Sequence, residues 1–212
     1  TTLADPNNPL DKRARLSAHN VLKNLNEPLV IDTANPNGTL SADINFDYSI
    51  DALWHIVSET IYFQPKLHLT EKIFKPIVCK RPFILVGAPG NLEYLKSYGF
   101  QTFNHWIDES YDQEDDHYLR IELITKEIKK LCSLSKTELE TMHQEMQEVL
   151  EYNFNHFYGG AFKKILVDEL VDNYKTILDQ HQIKQLADTS QTYPTYQLSA
   201  EYLEQVKNRL LQ

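Results

Sequence analysis

Glycine is scarce in this chain, six residues in 212, and none sits in a GxGxxG, GxxxxGKS or GxxxxGKT pattern. The commonest glycine-rich phosphate cradles are therefore excluded. There is no GxSxG and no HExxH, so neither a nucleophile elbow nor a zincin helix is encoded. Cysteine is nearly absent: Cys79 and Cys132 are the two present, without a CxxC and without Cys/His ligand spacing. They read as reduced structural thiols of a cytoplasmic protein, and no metal site is expected. Positive charge is in deficit, with 21 Lys and Arg against 30 Asp and Glu and a net charge of −9. That balance argues against non-specific nucleic-acid binding, which relies on neutralising phosphates. It leaves room for a local basic pocket. No apolar run approaches the roughly 20 residues of a membrane span, and no signal peptide is visible. The chain begins at Thr1 rather than Met, and reads as a processed or truncated one.

What is present suffices for a core, since 42% of the residues are hydrophobic. Residues 1–11 are polar and turn-rich, a tail or linker. Residues 12–25 carry a helical pattern with Leu16, Val21, Leu22 and Leu25 on one face, ended by Pro28. A short strand is expected at residues 29–31 and a loop over 33–45. Residues 51–59 form an apolar strand of the kind covered on both faces. Thr70 caps a helix reaching about Val78, with Pro76 placed awkwardly inside it. The clearest strand runs over 82–86. A short helix follows from Asn91 to Tyr98, stopped by Gly99, and a short strand over 100–103. Beyond the acidic stretch 105–116 the pattern is helical: 117–132, 136–152, 162–181 and 199–211, with a break at 155–160. Strands alternating with helices and then helices alone predict an α/β domain over 12–116, a Rossmann-like parallel sheet, with a helical extension over 117–212 packed on it.

Charge gathers between the two apolar strands of residues 54–87, where an open α/β sheet places its chemistry. Glu71 and Lys72 stand in the first turn of a helix, whose unpaired N–H groups and dipole favour an anion. Lys72 adds a full positive charge and Lys75 lies one turn on. Glu71 is placed to accept from ribose hydroxyls, and Glu59 ends the preceding strand and faces the crevice. A capped helix start with ordinary surface charge is the plainer account of the same residues. His68, just ahead of this helix, is the more exposed of the nearby histidines, whereas His55 reads as a satisfied core residue. The acidic run Asp108, Glu109, Asp112, Glu114, Asp115 and Asp116 lacks EF-hand spacing and reads as a solvated loop. Asp108 and Glu109 are alternatively placed to order the edge of the site, and Arg120 to pair with the run. The aromatic residues of 152–162 read as helix packing, and Gly159 and Gly160 as a sharp turn.

The pattern HIVSETIYF…LHLTEKIFKPIVCKRPFILVG resembles the donor domain of fucosyltransferase-like GT-B glycosyltransferases. In that family an apolar strand ends in Glu, Tyr-x-Thr-Glu-Lys opens a helix, and a Pro-x-apolar strand ends in Gly. The stretch PFILVGAPGNLEYLKSYGFQTFNHWIDESYD also resembles uncharacterised glycosyltransferase-like proteins of phages and marine microbes, and the resemblance covers about residues 12–155. The resemblance implies that Glu71 holds the nucleotide ribose, that Lys72 holds the phosphates, and that Glu59 lies near the donor sugar as the catalytic candidate. His68 stands where the family has its aromatic residue. The resemblance also carries a diphosphate-binding Arg to Arg15, with Arg13 as second choice. The expected function is transfer of a sugar from a nucleotide diphosphate sugar, with GDP-linked sugars among the candidates, to an unknown acceptor, without metal or other cofactor. The acceptor half is expected from a missing N-terminal domain or a partner chain. The alternatives are a non-catalytic nucleotide-sugar-binding or assembly module and a helical interaction protein built on 117–212.

Overall fold

The computed structural model describes residues 23, 44, 46–64, 66–187 and 200–211. The chain divides into two compact units, Thr1–Leu40 and Ser41–Gln212, and the elements with assigned bounds lie in the second. The expected helix over 12–25, with Arg13 and Arg15, and the expected strand over 29–31 fall outside the described residues.

In order, the elements are α1 (Phe46–Asp51), β1 (His55–Ser58), α2 (Glu71–Val78), β2 (Phe83–Val86) and α3 (Asn91–Ser97). A 3-10 turn (Ser110–Gln113) follows, then α4 (His117–Ser133), α5 (Lys136–Glu145), α6 (Gln147–Tyr158), α7 (Ala161–Ala187) and α8 (Ala200–Leu211). The protein is thus a mixed α/β structure dominated by helix. Its sheet, among the described residues, has two strands. They run parallel, with Ile56 opposite Ile84 and Val57 opposite Leu85, and α2 makes the crossover that parallel pairing requires. Phe83, Ile84 and Leu85 are buried, and they share one core with Ile124, Leu131, Met146, Leu150 and Phe162 of the later helices. No described helix is long and apolar enough to cross a membrane.

Several local expectations hold. Thr70 caps α2, its hydroxyl accepting from the Lys72 N–H, and β2 is the buried strand its apolar run predicts. Pro76 lies within α2, where it deprives the Lys72 carbonyl of a helical donor. Gly99 closes α3 in the left-handed region at φ +90, a conformation costly for residues with a Cβ. The 152–162 aromatics pack in part: Phe74 contacts both Phe157 and Phe162, with ring centroids 5.3 Å apart in each case, while Tyr152 and Tyr158 are exposed. Both cysteines are free thiols, Cys79 half-buried and Cys132 exposed.

Other expectations are corrected. Residues 100–103 form no strand, because side chains have claimed the backbone a ladder would use. The Gln101 N–H donates to Asn153 Oδ1 at 2.8 Å, and Asn153 Nδ2 donates to the Gln101 carbonyl at 2.9 Å. The Phe103 N–H donates to Glu109 Oε1 at 2.7 Å. The strand expected from residue 51 starts only at His55, since α1 occupies 46–51. The last carbonyls of α1 find donors in the tertiary structure, Ser49 from His55 Nε2 and Ile50 from Arg81, which satisfies a helix end that has no partner of its own. The expected helix over 136–152 is two helices, broken at the fully buried Met146, and α6 continues to Tyr158 before the glycine turn.

Arg81 also ties α5 to this corner. Its Nη1 lies 2.9 Å from His143 Nε2, and a guanidinium only donates, so the neutral imidazole nitrogen accepts. Partial burial first, and the Arg81 charge second, hold the His143 pKa below its ordinary 6.5, against a hydrogen bond to the Lys80 backbone that raises it. Gln147 is the other side chain facing this ring. A depressed folded pKa favours the neutral form, so His143 contributes stability above pH 6.5 that is lost as pH falls through its folded value. The wild-type melting temperature is therefore expected to fall more between pH 7.5 and pH 5.5 than that of His143→Gln. Equal slopes in the two proteins would remove His143 from the account.

Candidate functional site

The candidate site lies at the C-terminal edge of the two parallel strands. Glu59 directly follows β1, and its N–H continues the sheet pairing by donating to the Val86 carbonyl at 2.9 Å. Its side chain is buried, 5% exposed, and both oxygens are engaged by one residue. Oε1 accepts from the Thr70 N–H at 3.1 Å and Oε2 from the Thr70 hydroxyl at 2.7 Å. The Thr70 Oγ1 in turn accepts from the Lys72 N–H at 3.4 Å. The Lys72 ammonium returns to the end of β1, donating to Thr60 Oγ1 at 2.9 Å. The strand end and the helix start are thus laced together in both directions. Glu71 projects from this turn and is exposed, and Lys75 lies one turn further along α2.

Beside this strand end stand β2, the turn after it and α3. Gly87 follows β2 at a close approach: a Cβ there would lie 2.6 Å from Asn91 Nδ2 and 3.6 Å from the Glu59 Cβ. Only glycine leaves room for this packing. Asn91 is fully buried and clamps the backbone of His68, accepting from its N–H at 3.1 Å and donating to its carbonyl at 3.3 Å. The loop leading to Thr70 is thereby held by a side chain on α3. The start of α3 is occupied by the protein's own carboxylate. Asp112 Oδ1 accepts from the Leu92 N–H at 2.9 Å and Oδ2 from the Glu93 N–H at 3.3 Å. Burial raises the Asp112 pKa, and these backbone hydrogen bonds offset part of that rise.

The structure therefore brings together Glu59, His68, Thr70, Glu71 and Lys72, with Lys75 on the same helix. Three contributors have no motif to announce them. Thr60 holds Lys72, Asn91 holds the His68 backbone, and Asp112 fills the α3 end. Asn91 did offer one signal, as an amide at a helix start beside Gly90, but its partner lies 23 residues back.

The acidic run is only partly the solvated loop expected. Glu109 turns inward, accepting from the Thr102 hydroxyl and the Phe103 N–H, each at 2.7 Å, and burial raises its pKa. Asp108 stays exposed and accepts from the Ser110 N–H at 2.9 Å. No group of three His, Cys, Asp or Glu among the described residues is placed to hold a metal ion. Arg120 pairs with the run as expected, through backbone carbonyls. It is 1% exposed and donates from Nη1 to the Glu114 carbonyl at 2.7 Å and from Nη2 to the Tyr62 carbonyl at 2.6 Å. The Tyr62 ring lies 4.3 Å below the guanidinium. Arg120 thus anchors the loop that leaves Glu59 and Thr60.

A scan against protein-family models, a search of curated proteins and a search of solved structures each find no match to this chain.

Proposed function

We propose that the chain binds a nucleotide diphosphate sugar at the start of α2, and that it serves as the donor half of a glycosyltransferase of the fucosyltransferase-like GT-B kind. The observation that carries this reading is the laced turn itself. Glu59, Thr70, Lys72 and Thr60 hold a helix start at the C-terminal edge of two parallel strands. That edge is where open α/β sheets bind ligands, and a helix start favours phosphate. In this reading the exposed Glu71 carboxylate accepts from the ribose hydroxyls. Lys72 exchanges its neutral Thr60 partner for a phosphate oxygen, a stronger charge-assisted bond. Lys75, one turn along α2, adds positive charge where the departing diphosphate develops negative charge. His68 lies beside the nucleoside. Glu59, with both oxygens turned to Thr70, acts as a positioning residue and not as the catalyst.

Calorimetric titration with GDP, UDP and CMP is expected to give saturable binding of one diphosphate. Glu71→Ala and Lys72→Ala should each weaken it by about tenfold or more, the scale of one charge-assisted contact, with the fold intact. Binding undiminished in both variants would overturn the reading. Sugar transfer or donor hydrolysis by the full chain then tests the reaction.

A further inference from the structure

Between the start of α2, α3 and the first turns of α7 lies a cavity of about 240 Å3. Its walls are largely aromatic, formed by His68, Phe74, Tyr94, Tyr98 and Phe162 with leucines around them. Phe74 and Phe162 are tilted by 39°, and the other neighbouring rings stand more steeply. Tyr94 and Tyr98 meet at 66° with centroids 5.0 Å apart, and Tyr98 and Phe162 at 85° with centroids 5.9 Å apart. A planar heterocycle stacks on a ring face lying parallel to it, whereas steeply inclined neighbouring rings form the sides of a box. None of the lining side chains is a lysine or an arginine. The charge beside the cavity is negative: the Tyr98 hydroxyl donates to Glu169 Oε2 at 2.9 Å, and the Tyr94 and Tyr98 hydroxyls are 2.8 Å apart. A phenol donating to a carboxylate gains electron density in its ring, and an electron-rich ring face attracts a cation.

We propose that this cavity binds an organic cation, a quaternary or methylated ammonium group. The inclined rings of Tyr94, Tyr98 and Phe162 enclose its methyl groups, and Glu169 balances its charge. Such a head is compact and needs no hydrogen-bond partners, which suits a lining mostly without polar atoms. The net charge of −9 steers cations toward the protein. The cavity borders the nucleotide reading at His68 but uses neither Glu71 nor Lys72, so variants of Tyr98 and Glu169 test it separately.

The experiment is calorimetric titration of the full chain with choline chloride and, in the same buffer, with 3,3-dimethyl-1-butanol, its neutral isostere. Choline is expected to bind saturably, at least about tenfold tighter than the alcohol. Tyr98→Leu should weaken choline binding by about tenfold, and Glu169→Gln by about threefold. Glu169 is exposed, so Glu169→Gln carries the test if Tyr98→Leu does not fold. Equal binding of choline and the alcohol would show an apolar hole and overturn the proposal. So would the absence of saturable choline binding, or choline binding that Glu169→Gln leaves untouched.

Discussion

Replacing Arg120 with methionine is expected to lower the unfolding free energy by about 2–4 kcal/mol, the cost of orphaning two partly buried carbonyls less the relief of no longer burying a charge. The two carbonyls are those of Glu114 and Tyr62, and no water reaches a side chain that is 1% exposed. Methionine fills much of the volume, so the loss is one of hydrogen bonds and of the contact with the Tyr62 ring. Arg120→Lys should fall between methionine and wild type, because one ammonium cannot reproduce the two-armed reach of a guanidinium. Chemical denaturation reads both variants. Midpoints that translate to less than about 1 kcal/mol for each would mean that the surrounding loops re-form their hydrogen bonds elsewhere.

Glu59→Ala is the second large effect expected. It leaves the Thr70 N–H without its acceptor at the first turn of α2, and it detaches the hydroxyl that caps Lys72. A cost of about 2–3 kcal/mol is expected, since these are hydrogen bonds to a charged group. Nucleotide affinity should fall with it, because the helix start is no longer held at the strand edge. Glu59→Gln separates position from chemistry. Its carbonyl still accepts from the Thr70 N–H and its amide still donates to the Thr70 oxygen, so stability and binding should stay within about 1 kcal/mol of wild type. A Glu59→Gln protein of normal stability and affinity that has lost transfer activity would return the catalytic role to Glu59.

The parts of this molecule that were legible in the sequence are those whose cause is local. Thr70 caps the residues right after it, and an uninterrupted apolar run can only be buried, so α2 and β2 follow from their own residues. Residues 100–103 have the composition of a strand, yet their hydrogen bonds go to Asn153, 52 residues away, and no local pattern encodes that capture. Helix α1 is held at its end by Arg81 and His55, so its own residues do not announce it. The acidic run misleads for the opposite reason. Its composition is that of a solvated loop, but Glu109 and Asp112 are drawn inward by backbone N–H groups needing acceptors. At the candidate site the charged residues were visible, while Thr60, Asn91 and Asp112, which fix their geometry, act across distant segments.

The carboxylate of Asp112 at the start of α3 gives the crevice a direction. Two helices begin beside the same strand edge, and each would ordinarily draw phosphate. Both carry a carboxylate supplied by the chain: Asp112 accepts from the Leu92 and Glu93 N–H groups of α3 itself, whereas Glu59 accepts from the capping Thr70 ahead of α2 and Lys72 stands in the turn beside it. In the reading proposed above, a donor lying across Gly87 therefore turns its negative end toward Lys72 and its uncharged end toward α3.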